Sequence, residues 1–154
     1  MIEAGDIHAL ERALREGIPL ARAMDLRVLE FDGTRLALAA PLAPNVNDKG
    51  CAFGGSISGL LTLAAWGLAN LKLTEAGLPA DVYVQDATLS YLAPVWGELV
   101  AEAWVEGDPW PEFFAGLRDK GRARITVMGE LSAMDGAGTA ARQTARFVAK
   151  RAAQ

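Results

Sequence analysis

Cysteine and histidine are nearly absent from this chain of 154 residues, which has one of each, Cys51 and His8. A disulfide framework and a zinc site, which needs about four nitrogen or sulfur ligands at set spacings, are excluded. His8 falls on a short amphipathic run near the N-terminus, where a solvent-facing side chain is expected, so a histidine-based triad has no obvious member. Surplus positive charge is missing too: 15 Lys and Arg against 19 Asp and Glu leave −4. Such a chain has no electrostatic footprint for a phosphate backbone, and nucleic acid is not an expected partner. The N-terminus MIEAGDIHALER has neither the basic start nor the apolar core of a signal peptide, which predicts a cytoplasmic location.

Residues 50 to 71 lack any formal charge, a length that raises the question of a membrane span. Glycines at 50, 54, 55, 59 and 67, with Asn70, Ser56, Ser58 and Thr62, make a poor lipid-facing helix. The ~16 residues that remain after the loop-like start cover only ~24 Å at ~1.5 Å each, short of the ~30 Å hydrocarbon core. No membrane partner is expected. A helix apolar on all sides, with Ile57, Leu60, Leu61, Leu63, Leu68 and Leu71, is predicted to be enclosed by the protein's own sheet.

The rest of the chain supplies that sheet. Ile7, Leu10 and Leu14 recur at helical spacing between Asp6 as N-cap and Gly17, which predicts a helix over about 6–17. Alternating runs from Met24 to Phe31 and from Leu36 to Leu42 flank Asp32-Gly33, a hairpin signal. After the long helix, about 54–76, stopped near Gly77 and Pro79, come two more strands, Asp81 to Val95 and Gly97 to Val105. Asp108, Pro109 and Pro111 open a short helix with Phe113, Phe114 and Leu117, closed by Gly121; Trp110 and the two phenylalanines are expected to anchor it. Arg122–Ala133 and Thr139–Arg151 form a last hairpin. The expectation is one α+β domain over 1–154, an antiparallel sheet of about five or six strands wrapped around a long central helix.

The segment Asn47-Asp48-Lys49-Gly50-Cys51-Ala52-Phe53-Gly54-Gly55-Ser56 puts an amide, a carboxylate and paired glycines at the start of that helix. First-turn N–H groups have no intrahelical acceptor, and the macrodipole places roughly +0.5 charge there. Glycines let a ligand oxygen approach the backbone, which is the physics of an oxyanion site; a glycine-rich turn packed tightly on a sheet has the same composition. Asp48 is read either as a general base for water or as a cap ordering the loop. Asp86, on a strand face shared with Val82, Val84, Thr88 and Ser90, is paired, at an interface, or functional. Cys51, among small apolar neighbours, reads as a packed thiol. Gly136-x-Gly138-x-x-Ala141 precedes a strand and is a turn, and no G-x-S-x-G elbow exists around Ser56 and Ser58. Arg118, Lys120, Arg122 and Arg124 form a basic cluster that reads either as a phosphate site or as a solvated strand edge.

Asn47, Gly50 and Phe53-Gly54-Gly55 ahead of a long apolar helix resemble the Asn-x-x-Gly-x-x-His-Gly-Gly motif of PaaI-like hotdog-fold acyl-CoA thioesterases. The strings NVNDKGCAFGGS, YVQDATLSYLAPVWGELVAEA and GRARITV are more similar still to the thioesterase family typified by the YiiD C-terminal domain, over roughly residues 18 to 150. The resemblance implies a hotdog fold and a thioesterase acting on an acyl-CoA or acyl-carrier thioester, with coenzyme A as part of the substrate and no separate cofactor. Carried over by position, Asn47 matches the motif asparagine, Gly54 the glycine whose N–H polarises the carbonyl, and Gly55 its neighbour. Phe53 stands where the PaaI-like motif has histidine, and Thr62 where an Asp or Glu is usual. The expected catalytic set is Asn47, Asp48 and Gly54; the expected substrate-binding set is Phe53, Gly55, Ser56, Thr62, Asp86, Arg122 and Arg124. A homodimer or dimer of dimers paired along the strand after the central helix is also implied, and a non-catalytic acyl- or CoA-binding domain is the alternative function.

Overall fold

Asp6 caps the first helix: its carboxylate accepts the N–H groups of His8 at 2.9 Å and Ala9 at 3.1 Å. The structure, a computed structural model, describes residues 6–136 and 138–152. Helix α1 (Ile7–Gly17) turns at Ile18 into a five-residue helix α2 (Pro19–Ala23), opened by a proline at its first position. The alternation beginning at Met24 therefore does not all belong to a strand. Met24 and Leu26 are buried as the end of α2 and the turn after it, where Asp25 takes a left-handed conformation (φ 56°) and accepts Arg15 Nη1 at 2.9 Å. Strand β1 begins only at Arg27.

The six strands are β1 (Arg27–Phe31), β2 (Leu36–Ala40), β3 (Ala80–Tyr91), β4 (Leu99–Trp104), β5 (Arg122–Ala133) and β6 (Thr139–Arg151), with helix α4 (Trp110–Lys120) between β4 and β5. They form one antiparallel sheet in the order β1-β2-β4-β5-β6-β3. Helix α3 (Gly54–Glu75) lies along its concave face, with Leu60, Leu61, Ala64, Ala65, Leu68 and Leu71 fully buried against Leu36, Leu38, Leu99, Val127 and Phe147. This is the hotdog arrangement, a helix wrapped by a sheet. Trp110 and Phe113 bury their rings edge to face, 5.8 Å between centroids, and anchor α4.

Three departures from the sequence pattern have physical causes. All five residues of β2 are buried rather than alternate ones, because its outward residues are the alanines 37 and 39. Longer side chains paired beside them, Arg27 and Glu30 on β1 and Val100 and Glu102 on β4, shade them. Strand β3 ends at Tyr91, because the next two N–H groups, Leu92 and Ala93, both turn onto the Ala140 carbonyl. A bulge between Val84 and Asp86 also reverses the strand's alternation. Val82 pairs with Ala149 and Val84 with Phe147, both on the core side, whereas Asp86, Thr88 and Ser90 face outward beside Arg146, Thr144 and Arg142. Asp86 therefore does not share a face with Val82 and Val84.

Helix α3 is not enclosed on every side. Ser58, Thr62, Trp66 and Asn70, at helical spacing, form a half-buried stripe next to β3. The Trp66 indole donates to the Val82 carbonyl at 2.9 Å and the Tyr91 hydroxyl to the Gly54 carbonyl at 3.1 Å, so the stripe follows β3 over most of its length.

The β1–β2 turn is held by one carboxylate. Asp32 accepts Arg35 N–H at 2.7 Å, Thr34 N–H at 2.8 Å and the Thr34 hydroxyl at 2.9 Å, and these bonds, the Arg35 one foremost, hold its pKa below the usual 3.8. A depressed folded-state pKa adds stability that is present above the ordinary carboxylate value and lost as pH falls through the folded one. Asp32→Ala is thus expected to melt below wild type at pH 7. The gap should close as the pH drops below about 4; a gap constant from pH 7 to pH 2 in thermal melts would show that the carboxylate does not act through its charge.

Candidate functional site

The start of α3 is where chain geometry leaves backbone donors unused. Ser56 and Ile57 donate to the Phe53 carbonyl at 2.9 and 3.1 Å, Phe53 donates to the Asn45 carbonyl at 2.7 Å, and Ala52 to the Val95 carbonyl at 2.8 Å. No side chain caps the helix, and the N–H groups of Gly54 and Gly55 find no acceptor among the described residues. Two adjacent donors at the positive end of a helix of 22 residues form an anion-favouring point.

Two exposed aromatic rings border it. The Phe53 ring lies across Gly55 so closely that a Cβ there would fall on it, and the Tyr91 ring lies 3.5 Å from where a Gly54 Cβ would stand. Neither glycine has a positive φ. Their absent side chains matter for approach to the backbone, not for the turn. Tyr91, at the end of β3, was not among the residues expected from sequence; an aromatic at a strand end carries no signal of which helix it reaches.

The loop ahead of the helix is ordered from within. Asn47 Oδ1 accepts Lys49 N–H at 2.8 Å and Cys51 N–H at 3.3 Å, its Nδ2 donates to Cys51 Sγ at 3.2 Å, and its backbone N–H donates to the Cys51 carbonyl at 2.7 Å. Gly50, at φ 93°, makes the turn a side chain would strain. Asn47 therefore shapes the loop and presents Phe53 and Gly54, while Cys51 is a buried thiol inside it. Asn45, which sequence reasoning passed over, is buried beneath: its Nδ2 donates to the Met24 and Pro41 carbonyls at 2.9 and 2.8 Å and ties the loop to α2.

Asn47, Phe53, Gly54, Gly55 and Ser56 thus stand together at one helix end. Asp48 is at the loop tip, its side chain 81% exposed and 2.9 Å from Lys49 Nζ. Thr62 lies two turns into the helix, its hydroxyl donating back to the Ser58 carbonyl at 2.8 Å. The remaining residues lie elsewhere. Asp86 pairs with Arg146 on the outward face of the sheet (Arg146 Nε, 3.1 Å). Arg122 and Arg124 line a cleft of about 410 Å³ between α4 and β5 with Phe113, Gly116, Asp119 and Lys120. Arg124 Nε donates to Gln85 Oε1 at 2.9 Å, and Arg122 and Lys120 have no ion pair among the described residues. Among those residues there is also no group of three or more His, Cys, Asp or Glu able to hold a metal, and no helix long and apolar enough to cross a membrane.

This architecture recurs in solved structures. A Chlorobaculum tepidum protein of unknown function superposes with a TM-score of 0.88 at 27% identity, covering 94% of each chain. A Shewanella oneidensis protein described as a thioesterase on prediction reaches 0.83 at 25% identity, over 94% of this chain and 96% of that one. A Haemophilus influenzae thioesterase shares the fold at 11% identity, with a TM-score of 0.74 over 95% of this chain and 91% of that one. In sequence, residues 7–151 match the model of the family described as "Putative thioesterase (yiiD_Cterm)". With that match spanning nearly the whole of a hotdog fold, the chain belongs to the YiiD C-terminal family of thioesterase-like proteins.

Proposed function

We propose that this protein hydrolyses acyl thioesters of coenzyme A or of an acyl carrier, using the start of α3 as its oxyanion site. The observation that carries the reading is the pair of acceptor-free N–H groups at Gly54 and Gly55 in a chain of a thioesterase-like family. Water attacks the thioester carbon, and the carbonyl oxygen, now an oxyanion, is held by the two N–H groups. Collapse expels the thiolate, which takes up a proton, and the acyl group leaves as the carboxylic acid. The reaction so written needs no cofactor. Asp48, the one carboxylate of the loop, accepts the proton from water. Arg122 and Arg124, with Lys120, are assigned to the phosphates of the carrier arm.

Asp48→Asn is then expected to lower kcat by about a hundredfold or more, the usual scale for a general base. Release of free thiol from a panel of short, medium, long and aryl acyl-CoAs measures it. An unchanged rate in the variant removes Asp48 from the mechanism.

A second reading, binding without hydrolysis, is favoured by one observation: among the described residues no carboxylate or imidazole is bonded at the helix start, since Phe53 is apolar and the Thr62 hydroxyl is bonded back to its own helix. Calorimetric binding of acyl-CoA with no thiol release across the same panel would decide for it.

We also propose that the functional unit is a homodimer joined along β3. Of the sheet's two edges, β1 is blocked by α1, whose Glu11 accepts the Val28 N–H at 2.8 Å and whose Arg15 donates to the Leu26 carbonyl at 2.8 Å. Among the described residues the β3 edge is crossed only near its start, where the Trp66 indole of α3 donates to the Val82 carbonyl, and it exposes Tyr83, Val84 and Tyr91. An open edge strand of 12 residues is the kind of edge that pairs.

A further inference from the structure

Gln143 is 3% exposed and its Nε2 has no hydrogen-bond partner among the described residues. It sits on β6 with its side chain toward the helix. Its strand neighbours Arg142 and Thr144 are exposed, and a Cβ built on the facing Gly129 would meet both Leu61 of α3 and the Gln143 Cβ. The other core-side residues of β6 are Ala141, Ala145, Phe147 and Ala149, all apolar. A buried amide donor left without a partner is destabilising, and a side chain of similar length without polar atoms would avoid that cost. Something other than packing accounts for an amide at this position.

Its place in the sheet points toward the site. Gln143 pairs with Leu89 of β3, and the next core-side pair along the two strands is Ala141 with Tyr91, the tyrosine that touches Gly54. Leu89 is only half-buried, and beside it runs the open stripe of α3. Leu61, which marks the level of Gln143, lies seven residues beyond Gly54, roughly 10 Å along the helix at ~1.5 Å per residue. That is too deep for a carbonyl held at the Gly54 and Gly55 N–H groups.

We infer that Gln143 is a specificity residue whose Nε2–H donates to a hydroxyl or oxo oxygen on the acyl chain, several bonds from the thioester, so that the preferred substrates are hydroxy- or oxo-acyl thioesters. The inference rests on the oxyanion site proposed above and extends it along β3 toward Leu89 and Gln143.

The test compares hexanoyl-CoA with 3-hydroxyhexanoyl-CoA and 5-oxohexanoyl-CoA, by hydrolysis and by calorimetry on the corresponding non-hydrolysable thioethers. Wild type is expected to favour at least one oxygenated member by tenfold or more. Gln143→Met should abolish that preference, keep hexanoyl values within about threefold, and melt no lower than wild type, since it removes an unpaired donor. Gln143→Leu serves as a second apolar variant if the methionine form does not fold. A wild type without preference overturns the inference, as does an equal loss on all three ligands. A variant that melts several degrees lower while keeping the preference also overturns it, because the amide would then be satisfied by an internal water. If no member is hydrolysed but the thioethers show the preference and its loss, the Gln143 assignment stands and the hydrolytic one falls.

Discussion

Gly54→Pro is expected to lower kcat on a thioester by about a hundred- to a thousandfold, the measured scale for removing one oxyanion donor, while the protein keeps its fold. Gly54 is the first residue of α3. Proline is favoured there because the N–H it lacks has no intrahelical acceptor anyway and its fixed φ suits the helix. The residue before a proline must be extended, and Phe53 already is, at φ −68° and ψ 134°. A Cβ at position 54 meets the Tyr91 ring at 3.5 Å, an ordinary contact. The substitution therefore deletes one N–H and little else. The melting temperature, expected within a few degrees of wild type, separates loss of the donor from loss of the fold. A fold-intact variant with a wild-type rate would mean that the helix start does not hold the oxyanion.

That site was legible in sequence because its chemistry belongs to the backbone. Paired glycines before an uncharged run specify a helix start whose own first residues put no side chain over its N–H groups, whatever the rest of the chain does. The architecture was legible for a related reason: an uncharged helix has to be surrounded, and the flanking alternating runs are what surrounds it. What could not be read were relations between segments distant in the chain. Tyr91 reaches Gly54 across 37 positions, and the Gln143 amide is set against Leu61 only by sheet register. The bulge at Gln85 moved Asp86 to the outward face, a change of one residue that no alternating pattern announces. The same register logic put Arg122 and Arg124 beside α4 and away from the helix start of their own chain.

That separation would give the proposed dimer a chemical role as well as a structural one, because the half-buried stripe of α3 and the core-side face of β3 form one open flank ending at Gly54. In the dimer proposed above, a second chain laid along β3 would cover this flank and exclude water from it. Val84 is the residue on which to test it: it faces the core side of β3 opposite Phe147, yet is 49% exposed because nothing among the described residues covers it. In a two-fold interface the same residue is buried twice, once from each chain. Val84→Lys would desolvate two ammonium groups without partners, at an effective several kcal/mol each. Each 1.4 kcal/mol is tenfold in the dissociation constant, so the dimer should weaken by at least about a thousandfold. Wild type is expected to sediment as a dimer or larger at micromolar concentration and Val84→Lys as a monomer, with melting of the isolated chain reported separately by circular dichroism. Thiol release should fall with the dimer and recover at high protein concentration, because dilution alone separates the halves. A monomeric wild type, or a monomeric variant with full activity, would place the whole reaction within one chain and leave the open flank without this function.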